Sequence, residues 1–311
     1  MKTYVLDPMH PAGLQWLSER AEVIRWDDPR CARWHEDAQG IMVRAAPVTG
    51  DDFRRARHLK VLSKQGVGVN RLDLEAARAC GVTVCNTPGI NRVAVAEMAM
   101  ALVLDLARRV TQQDRLIRQG VSFDRNHYLG MELTGRTLGV IGMGHIGTEF
   151  ARKMQAAFNV DILAYDPWAT SPQWAGIVHQ RVQHPHEIWQ RADVVSLHVP
   201  YNSDNHHMVN ADVLSRMKPQ SLLINVSRGG LIDEEALFDA LSSGRLAGAA
   251  LDVWEDAEPP RANHPLLQLA QVIATPHAAG STEQTQAASS LAVAQQLWHV
   301  LTGHEPFHRV V

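Results

Sequence analysis

Cysteine is scarce in this chain of 311 residues: Cys31, Cys80 and Cys85 are too few and too scattered for a disulfide framework or a cysteine-based metal site. No metal site of any kind is expected, and the usage fits a reducing, cytoplasmic setting. A dominant charge is also missing. Thirty Lys and Arg stand against 33 Asp and Glu, a net charge of −3, which leaves no basic footprint for nucleic acid and no reason to expect an acidic membrane as partner. The opening MKTYVLDPMH lacks the long apolar core of a signal peptide. The most apolar stretch, 93–107, is interrupted by Glu97 and Asp105, so it reads as a buried helix and not as a membrane span. Internal repeats, low-complexity tracts and charge blocks are absent too. What remains is the composition of a soluble globular protein, 45% hydrophobic and 20% charged, with a length that suggests two domains.

Short apolar runs recur along the whole chain. In the first ninety residues they fall at 4–6, 23–26, 41–43, 61–63 and 82–85, separated by polar or helical stretches such as 12–20 and 72–80. Such alternation argues for a parallel sheet with helices on its faces. Asn86-Thr87-Pro88-Gly89 then breaks the pattern, and a long helix is predicted over 93–109 as the bridge into a second domain. Strand signals resume at 138–141, 161–165, 176–178, 194–199, 222–226, 249–251 and 272–274, with a helix over 234–241 among them. A helical tail over 283–301 closes the chain.

One stretch has a physical task for nearly every residue. After the run 138–141 come Gly142, Gly144 and Gly147 in the spacing G-x-G-x-x-G, a helical pattern (Ile146, Phe150, Met154, Phe158), and a strand over 161–165 that ends at Asp166. Gly142 permits the tight turn, Gly144 lets a pyrophosphate approach the backbone, and Gly147 lets helix and strand pack closely. The helix N-terminus adds unpaired N–H groups and partial positive charge. Asp166, nineteen residues past Gly147, is placed to accept from both ribose hydroxyls and to repel a 2′-phosphate. No Arg or Lys follows it in Pro167, Trp168, Ala169 and Thr170, so NAD is expected over NADP.

Ligands of an open parallel sheet sit beyond the carboxyl ends of its strands. Ser227-Arg228-Gly229-Gly230 follows the strand at 222–226, Asp252 and Glu258-Pro259 follow 249–251, and Thr275-Pro276-His277 follows 272–274. Each residue alone has a bland reading: a surface arginine, a solvated acidic loop, one of sixteen histidines. Together on one edge they suit hydride transfer to a carbonyl. His277 can give the proton that an alkoxide needs, Glu258 can orient and charge it, and Arg228 can grip a carboxylate with its planar fork. Asp252 is expected at the nicotinamide end of the cofactor.

These segments carry a resemblance. The stretches LKVLSKQGVGVNRLDL (59–74), NTPGINRVAVAE (86–97), LTGRTLGVIGMGHIG (133–147), INVSRGGLIDEEAL (224–237), LDVWEDAEPP (251–260) and TPHAAGST (275–282) resemble the NAD-dependent D-2-hydroxyacid dehydrogenases, which include D-3-phosphoglycerate dehydrogenase and the hydroxypyruvate and glyoxylate reductases. The resemblance implies an α/β protein of two domains: a Rossmann-type doubly wound parallel sheet over 99–281, and a flavodoxin-like α/β substrate domain over 1–98 completed by 282–311. It implies Arg228, Glu258 and His277 as the catalytic set. For NAD it implies Gly142, Gly144, His145, Ile146, Gly147, Asp166, Val199, Pro200 and Asp252. Backbone N–H groups around Val67 and Gly68 would hold the substrate carboxylate, beside Arg228 and His277. The implied substrate is a small 2-hydroxy or 2-oxo acid, 3-phosphoglycerate-like ahead of glyoxylate or hydroxypyruvate, and the implied assembly is a homodimer.

Some features depart from the family. Asn70-Arg71 stands where Asp-Asn is usual, and the interval from Asp252 to Glu258 is one residue longer, leaving Glu255 and Asp256 as alternative partners for His277. Within these 311 residues no counterpart of the regulatory C-terminal domain of some phosphoglycerate dehydrogenases is expected. Arg44, after the run at 41–43, is read as solvated ahead of the alternative that it meets a phosphate or a second carboxylate. From another class, the same fold serves NAD-sensing corepressors; the complete Arg228, Glu258 and His277 set argues against that alternative.

Overall fold

The computed structural model describes residues 1–122, 124–168 and 174–311. In chain order the elements begin with β1 (Lys2–Val5), α1 (Pro11–Ser18), β2 (Glu22–Ile24), β3 (Gly40–Val43), α2 (Gly50–Arg55), β4 (Val61–Lys64), α3 (Leu74–Ala79) and β5 (Thr83–Cys85). Next come α4 (Arg92–Arg108), α5 (Val110–Arg118), β6 (Thr137–Ile141), α6 (His145–Phe158), β7 (Asp161–Tyr165) and β8 (His179–Arg181). The chain finishes with α7 (His186–Arg191), β9 (Val194–Leu197), α8 (Ala211–Arg216), β10 (Leu222–Asn225), α9 (Glu234–Ser242), β11 (Gly248–Leu251), β12 (Val272–Ala274) and α10 (Glu283–Leu301).

Two compact units result, Met1–Asn91 with Ser281–Val311, and Arg92–Gly280. The division therefore falls before α4, where the sequence reading carried the first domain on to residue 98. All of α4 belongs to the second unit, because its buried face (Ala96, Ala99, Val103, Leu106) joins the core formed by Leu138, Val140 and Phe150.

The first unit has a five-stranded parallel sheet in the order β2-β1-β3-β4-β5, the flavodoxin-like arrangement. Strands β3 and β4 are buried along their whole length, which is why they read as plain apolar runs. Helix α10 completes this unit: Val293, Ala294 and Leu297 pack with Val5, Leu17 and Val61. Gly13 of α1 lies so close to α10 that a Cβ there would sit 2.2 Å from the Ser290 carbonyl oxygen. Ser290 Oγ donates to the carbonyl of His10 at 2.7 Å, fastening the start of α1 to the same helix.

The second unit has seven parallel strands in the order β12-β11-β10-β9-β6-β7-β8. Its strand order reverses between β6 and β9, the switch point of a doubly wound sheet. Several helices start on a side-chain cap, with Asn210 before α8 and Asp233 before α9. One expected strand is displaced. Residues 176–178 are not a strand; Gly176, at φ +80°, belongs to the approach to β8, which pairs as Ile162↔His179. At the sheet edge β8 is half exposed and polar, so it lacks the apolar signature of its neighbours.

Replacing Gly13 by Ala should therefore force α1 and α10 apart and destabilise the first unit by about 1–3 kcal/mol. Urea unfolding followed by far-UV circular dichroism would register this as a lowered midpoint. An unchanged midpoint would show that the helices separate without cost.

Candidate active site

The glycine loop is built by close approaches that exclude any side chain. Gly142 has φ +94°, and a Cβ there would lie 2.6 Å from the carbonyl oxygen of His198. At Gly147 a Cβ would lie 1.9 Å from the carbonyl oxygen of Gly142. Gly144 is the opposite case, with nothing within 4 Å of the added atom, and it precedes α6 without a side-chain cap. A fourteen-residue helix thus opens toward unfilled space with its first N–H groups, those of His145 and Ile146 among them, available to an anion. These features fit the pyrophosphate of a dinucleotide. Behind the loop lies His198, bonded through Nε2 to Ser196 Oγ at 2.9 Å. Burial pushes this imidazole down to about 3, so it stays neutral and the attraction for phosphate comes from the helix.

At the adenosine end, Asp166 is held by two main-chain donors, Met143 N–H to Oδ2 at 2.8 Å and Trp168 N–H to Oδ1 at 2.9 Å. Of the positions judged free of basic residues, Pro167 and Trp168 are described, while Ala169 and Thr170 lie outside the described residues. An arginine does arrive from elsewhere: Arg181, at the end of β8, donates from Nη2 to the Asp166 carbonyl at 2.9 Å, with its guanidinium 4.8 Å from the centre of the Trp174 ring. Sequence proximity could not reveal it, because it reaches Asp166 through strand pairing.

The loops after β10, β11 and β12 leave the same sheet edge as the glycine loop. Asp252 is fully buried. Its Oδ1 accepts from Thr275 Oγ1 at 2.5 Å and from the Ala278 N–H at 2.8 Å, and its Oδ2 accepts from the Ala279 N–H at 2.9 Å. Its carbonyl also accepts from the His277 N–H at 2.7 Å. The sequence reading put this carboxylate at the nicotinamide end of the cofactor, and in the structure it also fixes the loop that carries His277. Residue 277 itself has φ +56°, a left-handed conformation that a non-glycine residue keeps only where its surroundings impose it.

His277 Nδ1 lies 2.5 Å from Glu258 Oε2, while Glu255 lies elsewhere, with Oε1 2.8 Å from His207 Nε2. Burial alone would raise the Glu258 carboxyl. The bond and charge of His277, the Trp254 N–H and the charge of Arg228 outweigh it and hold the group below its ordinary value. Arg228 is half-buried beside them, donating from Nη1 to the Ser227 carbonyl at 2.6 Å. Burial lowers this guanidinium, and the charge of Glu258 acts in the opposite sense. Gly229 must be glycine, because a Cβ would lie 2.0 Å from the Trp254 carbonyl carbon. Val199 is drawn to the same edge through its carbonyl, which accepts from Ser227 Oγ, and the Pro200 carbonyl accepts from Asn205 Nδ2 at 2.7 Å.

In the first unit, Val67 is exposed and Gly68 half-buried, in a turn entered through Gly66 at φ +89°. Thr87 Oγ1 accepts from the Gly66 N–H at 2.8 Å, and Asn86 Nδ2 donates to the Val67 carbonyl at 3.1 Å. The unusual Arg71 is tied down by donation from Nη1 to the Ala45 carbonyl at 3.2 Å. Asp7, overlooked in the sequence, accepts from the N–H groups of Arg44, Ala45 and Ala46 and so shapes the loop after β3, where Arg44 is exposed.

A glycine loop opening an uncapped helix at a switch point, with a histidine–carboxylate pair and an arginine on that edge, is an arrangement suited to a dinucleotide with acid–base groups beside it. Residues 100–279 match the D-isomer specific 2-hydroxyacid dehydrogenase, NAD binding domain. Over 307 residues the chain is 38% identical to a D-3-phosphoglycerate dehydrogenase of Methanocaldococcus jannaschii, covering 97% of this chain and 58% of that protein. A glyoxylate reductase of Korarchaeum cryptofilum is 32% identical, with 98% of this chain and 94% of that one covered. A crystal structure of a protein from Thermus thermophilus superposes over 100% of both chains at 34% identity and a TM-score of 0.89. The chain belongs to the D-isomer specific 2-hydroxyacid dehydrogenase family. It spans about half the length of the phosphoglycerate dehydrogenases it matches.

Gly147→Ala drives a methyl group into the Gly142 carbonyl and should weaken NADH binding by at least tenfold, read by quenching of intrinsic tryptophan fluorescence. Binding at wild-type strength would mean that the loop is not the pyrophosphate site.

Proposed function

We propose that the chain is an NAD-dependent dehydrogenase that moves a hydride reversibly between the cofactor and C2 of a small D-2-hydroxy acid. The observation that carries this reading is the 2.5 Å His277–Glu258 pair on the sheet edge that also bears the glycine loop and Arg228. Bound NADH supplies the hydride. His277 delivers the proton to the carbonyl oxygen, and Glu258 favours the protonated ring and fixes its orientation. Arg228 polarises the carbonyl and grips the substrate carboxylate. Gly142, Gly144, His145, Ile146, Gly147, Asp166, Val199 and Pro200 would line the cofactor, and Asp252 would serve its nicotinamide end while fixing the loop that carries His277. Asp166 favours NAD over NADP.

The names of the relatives support a glycerate- or glyoxylate-sized acid, with a 3-phosphoglycerate-like acid preferred. A homodimer is proposed as well: no residue of α5 is buried, and Val110, Ile117, Val121 and Leu129 are exposed within one short stretch that a second copy would cover. Three free cysteines suit a reducing cytoplasm, and no helix among the described residues is long and apolar enough to cross a membrane.

NADH oxidation should be measured against glyoxylate, hydroxypyruvate, phosphohydroxypyruvate, pyruvate, oxaloacetate and longer branched 2-oxo acids, with NADPH run in parallel. Turnover on one group establishes the dehydrogenase and the size of the pocket. Silence throughout, with NADH still bound, would favour a NAD-sensing binding protein. His277→Ala should lower turnover by about 10²–10⁴-fold with NADH affinity retained; unchanged turnover would remove His277 from proton transfer.

Reduction of the 2-oxo acid draws a proton from the imidazole, and the carboxylate beside it is held in its charged form, its value lying below the ordinary range. Glu258→Gln keeps the shape and removes that charge, and should lower the reductive rate by about tenfold or more with NADH affinity retained. An unchanged rate would show that the charge of Glu258 plays no part in proton transfer.

A further inference from the structure

Two loops of the second unit bring together a cluster that the reaction does not use. His206 and His207 follow β9, Glu255 follows β11, and one ligand atom from each lies within 4.8 Å of the others. Glu255 Oε1 is 2.8 Å from His207 Nε2 and 4.0 Å from His206 Nδ1. The two imidazoles stack, with ring centres 3.8 Å apart and planes at 27°, so both present nitrogen toward the same carboxylate.

We propose that His206, His207 and Glu255 form a site for a divalent transition-metal ion of the zinc class. Two imidazoles and one carboxylate suit Zn²⁺ and its neighbours better than Mg²⁺ or Ca²⁺, which prefer oxygen throughout. Bonds of about 2.0–2.2 Å in tetrahedral geometry put ligand atoms roughly 3.3–3.6 Å apart. The carboxylate lies 2.8 Å and 4.0 Å from the two nitrogens, on either side of that range, and all three atoms fall within 4.8 Å, so side-chain rotations would close the set and leave the fourth position to water.

The surroundings hold the ligands in place. His207 has φ +50° and its N–H donates to the Gly230 carbonyl at 2.9 Å. The Glu255 N–H donates to Glu234 Oε1 at 3.0 Å, and Glu234 Oε2 lies 2.9 Å from His264 Nε2. Such outer bonds orient metal ligands. The competing contact is weak: Tyr201 Oη lies 3.3 Å from His206 Nδ1. An ion here pins the loop after β9 to the loop after β11, three residues before Glu258. The proposal is independent of the dehydrogenase reading, since its test measures binding and not turnover.

Full-length protein stripped with EDTA and dialysed should be titrated with ZnCl₂ by calorimetry, and with CoCl₂ by visible absorption. The expected result is one equivalent of Zn²⁺ bound in the micromolar range, with Co²⁺ giving the intense bands of a tetrahedral site. His207→Asn keeps a residue that tolerates the left-handed backbone but withdraws the ligand, and Glu255→Gln keeps the shape but removes the charge. Each should weaken binding on the order of tenfold or more, with wild-type circular dichroism. His304→Gln, at a separate stacked pair with His299, should change nothing. No uptake by the wild type, or uptake equally strong in both ligand variants, would overturn the proposal.

Discussion

The Asp252 carboxylate is the constraint on which the site rests. It is buried with no cationic partner among the described residues, so its charge is supported by hydrogen bonds: two N–H groups and one hydroxyl, all from the segment 275–279. Leaving any of those donors unpaired in the interior would cost about 1–3 kcal/mol. The cheapest arrangement wraps the segment around the carboxylate, and the Asp252 carbonyl then takes the His277 N–H. With its backbone fixed at φ +56°, His277 meets Glu258. One buried acid thus converts two adjacent parallel strands, β11 and β12, into a rigid mount for an imidazole.

The cofactor side depends on a different constraint, the absence of side chains. Gly142 and Gly147 approach carbonyl oxygens so closely that any Cβ would displace the loop, and this lets α6 begin directly against β6. An uncapped helix end is ordinarily unfavourable, because its first N–H groups lack partners. Here that deficit leaves the first N–H groups free to bind an anion. The neutral His198 behind it adds no charge, so the field at the loop is that of the helix.

Most of this was legible because parallel strands buried on both faces read as unbroken apolar runs. The runs at 161–165 and 272–274 coincide with β7 and β12, and the tail at 283–301 coincides with α10. The failures share a cause. Strand β8, His-Gln-Arg, is a polar edge that owes its place to pairing with β7, and α5 buries nothing, so neither left a hydrophobic signature. Side-chain partnerships between distant loops were legible only as a shared edge. The sequence could name Glu258 and Glu255 as rivals for His277, but their separation depends on how the loop after β11 turns. Arg181 beside Asp166 and the bonds of Asp252 were hidden for the same reason.

The acidic loop after β11 illustrates how folding sorts chemically similar groups. Glu255 and Glu258, with Glu234 from the start of α9, each pair with a different histidine: His207, His277 and His264. The environments of Glu234 and Glu258 push those two apart. Burial raises Glu234, against the opposing Glu255 N–H and His264, whereas at Glu258 His277, the Trp254 N–H and Arg228 overcome burial and lower it. A carboxylate held in its charged form is the one suited to stabilise an imidazolium through repeated gain and loss of a proton. Three pairs alike in composition therefore differ in what they can do, and Glu258–His277 is the pair whose carboxylate sits beside an arginine on the edge where the glycine loop opens.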